Sequence, residues 1–275
     1  MGTSQSSKGA PPNVPLVPPW AENVTPQNPP DSGPGDTHQN LENPIPDKIP
    51  IAPGRRFYGA RINLNKFSST GDKTYLKRGI GHYVKTGYRG SRTATQRLNR
   101  TVTTAGVLYD FFSYSSSGQP SGMFPDFDFH ALRGKTFDQI ADAIIEAIRP
   151  IDGDLDSEAS QNSMKDAFSE LLKNYENVDL LNLTEEQRFF VIEKFIARDV
   201  FNRFDLDMGK DIIRNATSPA NALARLKEAK DYIKETVSSS FKKIDKTIAF
   251  TSKTIVSVIK GTLEDAFHVF ESYAV

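Results

Sequence analysis

Two kinds of group in this chain carry clear chemical potential: an unhindered amine and a block of guanidinium side chains. Gly2 follows Met1, so removal of the initiator leaves a free glycine amine. Its ordinary pKa of about 8 keeps part of it neutral at pH 7, able to attack an activated acyl carbon. The tract Val14-Pro15-Leu16-Val17-Pro18-Pro19-Trp20 follows. Apolar groups this concentrated in a proline-rich stretch predict a short docking motif held extended, since a plain spacer needs none of them.

The second group is Lys85, Arg89, Arg92, Arg97 and Arg100, with Lys77 and Arg78 close by. Together they can line a surface for a phosphate backbone, with Tyr75, Tyr83 and Tyr88 stacking on bases. Those tyrosines also fall on the apolar side of a predicted helix, which assigns them to a core. Gly87-Tyr88-Arg89-Gly90-Ser91 leads into a helix start, with Ser91 as the expected N-cap and free amide groups able to hold an anion. An ordinary capped turn is the plainer reading of that stretch. Two phosphate-loop look-alikes fail: Gly79-x-Gly81 lacks a third glycine, and Gly71-Asp72-Lys73-Thr74 has aspartate where the loop needs glycine.

Other chemistry is excluded more simply. His38, His82, His130 and His268 are scattered, with no His-x-x-x-His or His-Glu pair, so no metal site is expected. Asp152-Gly153-Asp154-Leu155-Asp156 and Asp205-Leu206-Asp207 imitate calcium loops without the glycine and glutamate that an EF-hand requires. The absence of cysteine removes thiol chemistry and a disulfide scaffold. No serine stands in a nucleophile-elbow context. Neither an enzyme nor a cofactor is expected.

These groups sit on a chain of strongly segregated composition. Thirteen of the seventeen prolines precede residue 55. Residues 1–54 therefore read as a disordered, proline-rich tail whose polar composition offers too little burial to offset ordering entropy. Residues 55–114 hold twelve Lys and Arg against Asp72 and Asp110 alone, whereas residues 115–275 hold twenty basic and twenty-seven acidic groups. Such asymmetry speaks of partners, whether nucleic acid or an acidic face of this chain or a neighbour. No run approaches the ~18–20 apolar residues of a membrane span, and no secretory signal opens the chain.

Periodicity makes the remainder helical. Asp72 or Thr74 caps a short helix through about Lys85, weakened by Gly79 and Gly81. A second runs from Ser91 to about Phe112 on Leu98, Val102, Ala105 and Tyr109. Thr136 with Gln139, and Thr184 with Gln187, make capping boxes before apolar runs. A helix over about residues 157–175 lies between them. Ser218-Pro219 opens a final apolar stripe reaching Phe270, either one helix of about 80 Å or two broken near Ser238-Ser239-Ser240 or Gly261. Its mixed Lys, Glu and Asp face suits a helix interface better than a membrane surface. The expected fold is all-α: a basic Gly/Arg-rich helical segment, 55–114, packing with an acidic segment, 115–275, as one domain behind the tail.

With those residues in view, the chain resembles the QatB family of the bacterial Qat antiphage defence system. The resemblance rests on Met1-Gly2-Thr3-Ser4, on the Val14 to Trp20 tract, and on Gly79-Ile80-Gly81-His82-Tyr83-Val84-Lys85-Thr86-Gly87-Tyr88-Arg89-Gly90-Ser91 with Thr93-Ala94-Thr95-Gln96-Arg97. It covers residues 1–20 and about 55–112. It implies a non-enzymatic cytoplasmic component working with an ATPase (QatA), a QueC-like enzyme (QatC) and a TatD-like nuclease (QatD). QueC-type enzymes activate the carboxylate of a 7-deazaguanine, and a QueC-like partner can pass that acyl group to a protein amine. Gly2 is the expected acceptor, and residues 14–20 the expected docking site for the modifying enzyme.

Two alternatives stand beside this reading. Gly2 with Ser6 also fits a myristoylation pattern, which a basic region can support as a reversible lipid anchor. A bacterial origin removes that option, because the acylating enzyme is eukaryotic. The basic segment alone supports a nucleic-acid-binding helical protein.

Overall fold

The computed structural model describes residues 15–17, 51–52, 54–117, 124, 127–149, 155–244 and 252–274. Among these the architecture is all-α. Helices α1 (Tyr58–Thr70) and α2 (Lys73–His82) form a hairpin, and α2 continues into a π-helical turn, Tyr83–Gly87. Then come α3 (Ser91–Arg97), α4 (Asn99–Ser117), a short 3-10 turn (His130–Leu132) and α5 (Phe137–Ile148). The chain proceeds through α6 (Leu155–Asn174), α7 (Glu185–Phe204), a second π-turn (Asp205–Gly209), α8 (Lys210–Asn215), α9 (Pro219–Phe241) and α10 (Ser252–Glu271).

Helix starts follow local side-chain chemistry. Thr136 and Thr184 each accept from the backbone of a glutamine three residues on, and Gln139 and Gln187 return the bond to the cap's own N–H, at 2.9–3.3 Å. Ser218 caps α9 with Pro219 at the first helical position. Asp72 caps α2 through the Thr74 N–H at 2.8 Å, and that bond holds its carboxyl below the usual range.

Helix α7 is the centre. Phe189, Val191, Ile192, Phe195, Ile196, Ala197, Val200, Phe201 and Phe204 are all buried, more than one face can supply. It packs on α6, α9 and α4. Helix α10 is the second organiser, laying Ile255, Ile259, Leu263, Ala266, Phe267 and Phe270 against α3, α4 and α9. One contiguous apolar cluster includes Leu64, Phe67, Leu76 and Phe111 from the basic segment and Phe168, Phe195 and Ile259 from the acidic one.

Several expectations are corrected. Helix α1 is absent from the sequence reading although Ala60, Leu64 and Phe67 recur at helical spacing; the asparagine and serine among them obscured it. The helix expected from Ser91 to Phe112 is two, because the chain turns at Leu98 (φ −95°, ψ 20°), and α4 runs on to Ser117. Gly90, and not Ser91, is the N-cap residue of α3. The stripe from residue 218 forms two helices, with residues 245–251 outside the described set. The first ends just after the serine run, and Gly261 sits inside α10 without breaking it. Asp205-Leu206-Asp207, the calcium-loop look-alike without the required ligands, is the start of the π-turn that joins α7 to α8.

Within the tail, residues 15–17 fold back on the chain. Pro15 pairs antiparallel with Ile51, and Leu16 and Val17 are only 1% and 2% exposed. Gly2, Val14, Pro18, Pro19 and Trp20 lie outside the described residues.

Gly79 and Gly81, which weaken α2 on propensity, permit close packing. A Cβ at Gly79 would stand 2.7 Å from the Leu64 side chain of α1. One at Gly81 would stand 2.6 Å from the Ala274 backbone nitrogen and 2.9 Å from the Phe270 carbonyl oxygen. We expect Gly81→Ala to lose about 1–3 kcal/mol despite the better helix former, because backbone must move. Gly261→Ala, with nothing within 4 Å of the new methyl, should gain about 0.5–1 kcal/mol. Urea unfolding of both variants checks the opposite signs.

Candidate functional site

The turn Tyr88-Arg89-Gly90 delivers α3 with bare amide groups, since Gly90 has no side chain to cap them. Glu271, at the end of α10, fills the role: its Oε2 accepts from the Ser91 N–H at 3.0 Å. Lys85 donates to the Ala274 carbonyl at 3.0 Å, tying the same C-terminal turn to the π-turn after α2. The anion expected at this helix start is thus a carboxylate of the chain itself. Arg89, held in the left-handed region (φ 61°), and Arg92 are exposed.

The tyrosines belong to the interior. Phe57 stacks on Tyr83 at 5.4 Å, and Tyr83 meets Tyr88 and Phe204 edge-on at 5.1 and 5.4 Å. Both phenols donate to one oxygen of Asp207, each at 2.8 Å. Burial pushes both phenol pKa values up, and the Asp207 charge adds to the effect. Neither ring is available to a base. Tyr75 is half-buried against the core, with Lys66 Nζ 5.3 Å from its ring centre.

Arg97 and Arg100 lie elsewhere, and this the sequence did not reveal. They line a cleft with Leu98, Thr101 and Thr104 from the α3–α4 corner, Arg149 after α5, Ala159 and Ser160 of α6, Asp199, Asn202 and Arg203 from the end of α7, and Leu206 of the π-turn after it. Its inner cavity is about 40 Å³. Arg97, Leu98 and Arg203 also wall a smaller cavity of about 10 Å³ beside Tyr83, Tyr88 and Phe267.

Polar bonds brace the cleft on every side. Thr101 of α4 and Ser163 of α6 donate to the two oxygens of Asp199 at 2.6 and 3.1 Å. Asn202 donates to Ser163 at 2.8 Å. Arg149 reaches Ser157 at 2.8 Å, while Gln161 holds the Arg149 carbonyl at 2.7 Å. Arg203 is ion-paired to Asp207 at 3.7 Å, so the back wall is linked to the tyrosine cluster.

Of the residues singled out from sequence, the structure joins Arg97 and Arg100 in one cleft and leaves Lys85, Arg89, Ser91 and Arg92 outside its lining. Arg149, Asp199 and Arg203 were missed. Asp199, Arg203 and Asp207 recur at four-residue steps, a charged helix face that was legible but unread. Among the described residues no group of three or more His, Cys, Asp or Glu can hold a metal, and no helix is long and apolar enough to cross a membrane.

Fold and site define a compactly cored all-α protein carrying an arginine-lined cleft at a three-way helix junction. Residues 89–270, about two thirds of the chain, match the family described as Qat anti-phage system associated protein QatB. The chain belongs to the QatB family and is a component associated with that defence system. The match takes in α3 through nearly all of α10, overlapping the sequence resemblance over residues 89–112 and extending it across the acidic helices. No curated protein and no solved structure matches the chain.

Asp207→Ala leaves two buried phenols without their acceptor and removes the counter-charge of Arg203. We expect a loss of about 3–5 kcal/mol, against about 1 kcal/mol for Tyr83→Phe, both read by denaturant unfolding. Glu271→Ala removes the surrogate cap of α3 and should cost about 1 kcal/mol, with faster amide exchange at Ser91 as the local signature.

Proposed function

We propose that this chain is a non-enzymatic adaptor and substrate subunit of the Qat system, modified at the amine of Gly2 by a QueC-like partner. The observation that carries this reading is the anchored tail. With Pro15 paired to Ile51 and Leu16 and Val17 buried, the tail is fastened at its fifteenth residue. The amine then rides thirteen residues ahead of the anchor, a reach of about 45 Å at full extension. An arm of that length can enter the cleft of an enzyme while the helical body stays outside.

Leu16 and Val17 thereby secure the arm, and the docking role falls to Val14, Pro18, Pro19 and Trp20 around them. In the transfer step the neutral Gly2 amine attacks the activated carboxyl carbon of a 7-deazaguanine held by the partner. An amide bond forms, the activating group leaves with its electron pair, and the amine releases a proton. QatC is the proposed enzyme, QatA and QatD the further partners, and the cytoplasm the compartment.

N-terminal-peptide mass spectrometry of the protein, expressed alone and together with its neighbouring genes, tests this. The expected result is loss of Met1 in both samples and an added deazaguanine acyl mass on Gly2 only in the second. A fatty acyl mass points to lipid anchoring instead, and an unmodified glycine in both samples overturns the proposal.

A further inference from the structure

We infer that the cleft between the α3–α4 corner, the start of α6 and the end of α7 is a binding site for a phosphate group, either free or terminal on a nucleotide. This rests on the helical body and stands apart from the modification of the tail.

Four guanidinium groups, those of Arg97, Arg100, Arg149 and Arg203, line one cavity. Among the described residues of the lining a single carboxylate, Asp199, stands with them, and hydroxyls of Thr101 and Ser163 already donate to it. Beyond the lining, Asp207 pairs with Arg203 from behind. Guanidiniums are forks of five donors, so each can serve an internal partner and a ligand at once. Arg149 shows the residual capacity directly: its Nη2 is bonded to Ser157, while its buried Nε has no acceptor. A guanidinium with a donor in this state can still take a ligand oxygen.

Size narrows the ligand. A cavity of about 40 Å³ has room for roughly three waters, or one tetrahedral oxyanion. Planar forks match phosphate oxygens in pairs, and the hydroxyls of Thr104 and Ser160 in the lining supply further donors. Leu98, Ala159 and Leu206 add apolar surface around the charges, which suits a phosphate carried on an organic group. A polyanion lying across the surface would instead engage Arg89 and Arg92, which are exposed and outside this lining.

The test is titration calorimetry of the full chain at fixed ionic strength with inorganic phosphate, ADP and a short single-stranded oligonucleotide. Expected is saturable one-to-one binding of phosphate or ADP, the tighter of the two telling free anion from nucleotide. Arg149→Gln and Arg97→Gln should each weaken it at least tenfold, with helicity by circular dichroism unchanged. Arg100→Lys, which keeps the charge and loses the fork, should give a smaller loss should the glutamine variants unfold. The Arg89→Gln/Arg92→Gln double variant should bind like the parent chain. Absence of saturable binding by the parent chain up to 10 mM ligand, on the order of the weakest specific anion sites, overturns the inference. So does binding by the oligonucleotide alone, or an equal loss in the surface double variant.

Discussion

A carboxylate cannot stay in an apolar interior without donors around it, and Asp207 sits where α7, the π-turn after α2 and the turn before α3 converge. Tyr83 and Tyr88 give it two hydrogen bonds and Arg203 a counter-charge. The two phenols come from the basic segment and the carboxylate from the acidic one, so the bond set joins halves that composition separates. Other ties repeat the theme. Arg61 meets Asp211, Thr101 meets Asp199, Tyr109 meets Glu185 at 2.6 Å, and the Ser91 N–H meets Glu271. Of these ties, Arg61–Asp211 sets a basic charge of one segment against an acidic charge of the other.

That internal use changes what remains for a partner. Tyr83 and Tyr88 are not a stacking platform, and the α3 start is not an open anion site, because the fold has occupied both. Arg97 and Arg100 face a cleft whose other walls come from α5, α6 and α7. Membership of the QatB family sets this body within an antiphage system, and the matched region coincides with the helices that build the cleft. Within the tail, Pro15 pairs with Ile51 and Leu16 and Val17 are buried.

Close approach explains features that propensity treats as defects. Helix α2 carries two glycines that a helix former would replace, yet one receives Leu64 of α1 and the other the backbone after α10. The C-terminal turn can then present Glu271 to α3 and the Ala274 carbonyl to Lys85. Gly106 repeats the device where α4 meets Val256 of α10. Each glycine exchanges local helix stability for contact between helices distant in sequence.

By itself the sequence determined the all-helical class and most helix starts. Thr136 with Gln139, Thr184 with Gln187 and Ser218 with Pro219 act within four residues, and the apolar steps of α7 and α10 act within a turn or two. The strings from Gly79 to Arg97 also carried the family likeness. Helix α1 was missed because its apolar signal is thin and its polar residues are poor helix formers. Only the tertiary structure decided that Glu271 caps Ser91 across 180 residues, that Arg149 and Arg203 join Arg97 and Arg100, and that Leu16 and Val17 turn inward. Caps and periodicity are local, whereas these pairings depend on where helices cross, which no window of a few residues records.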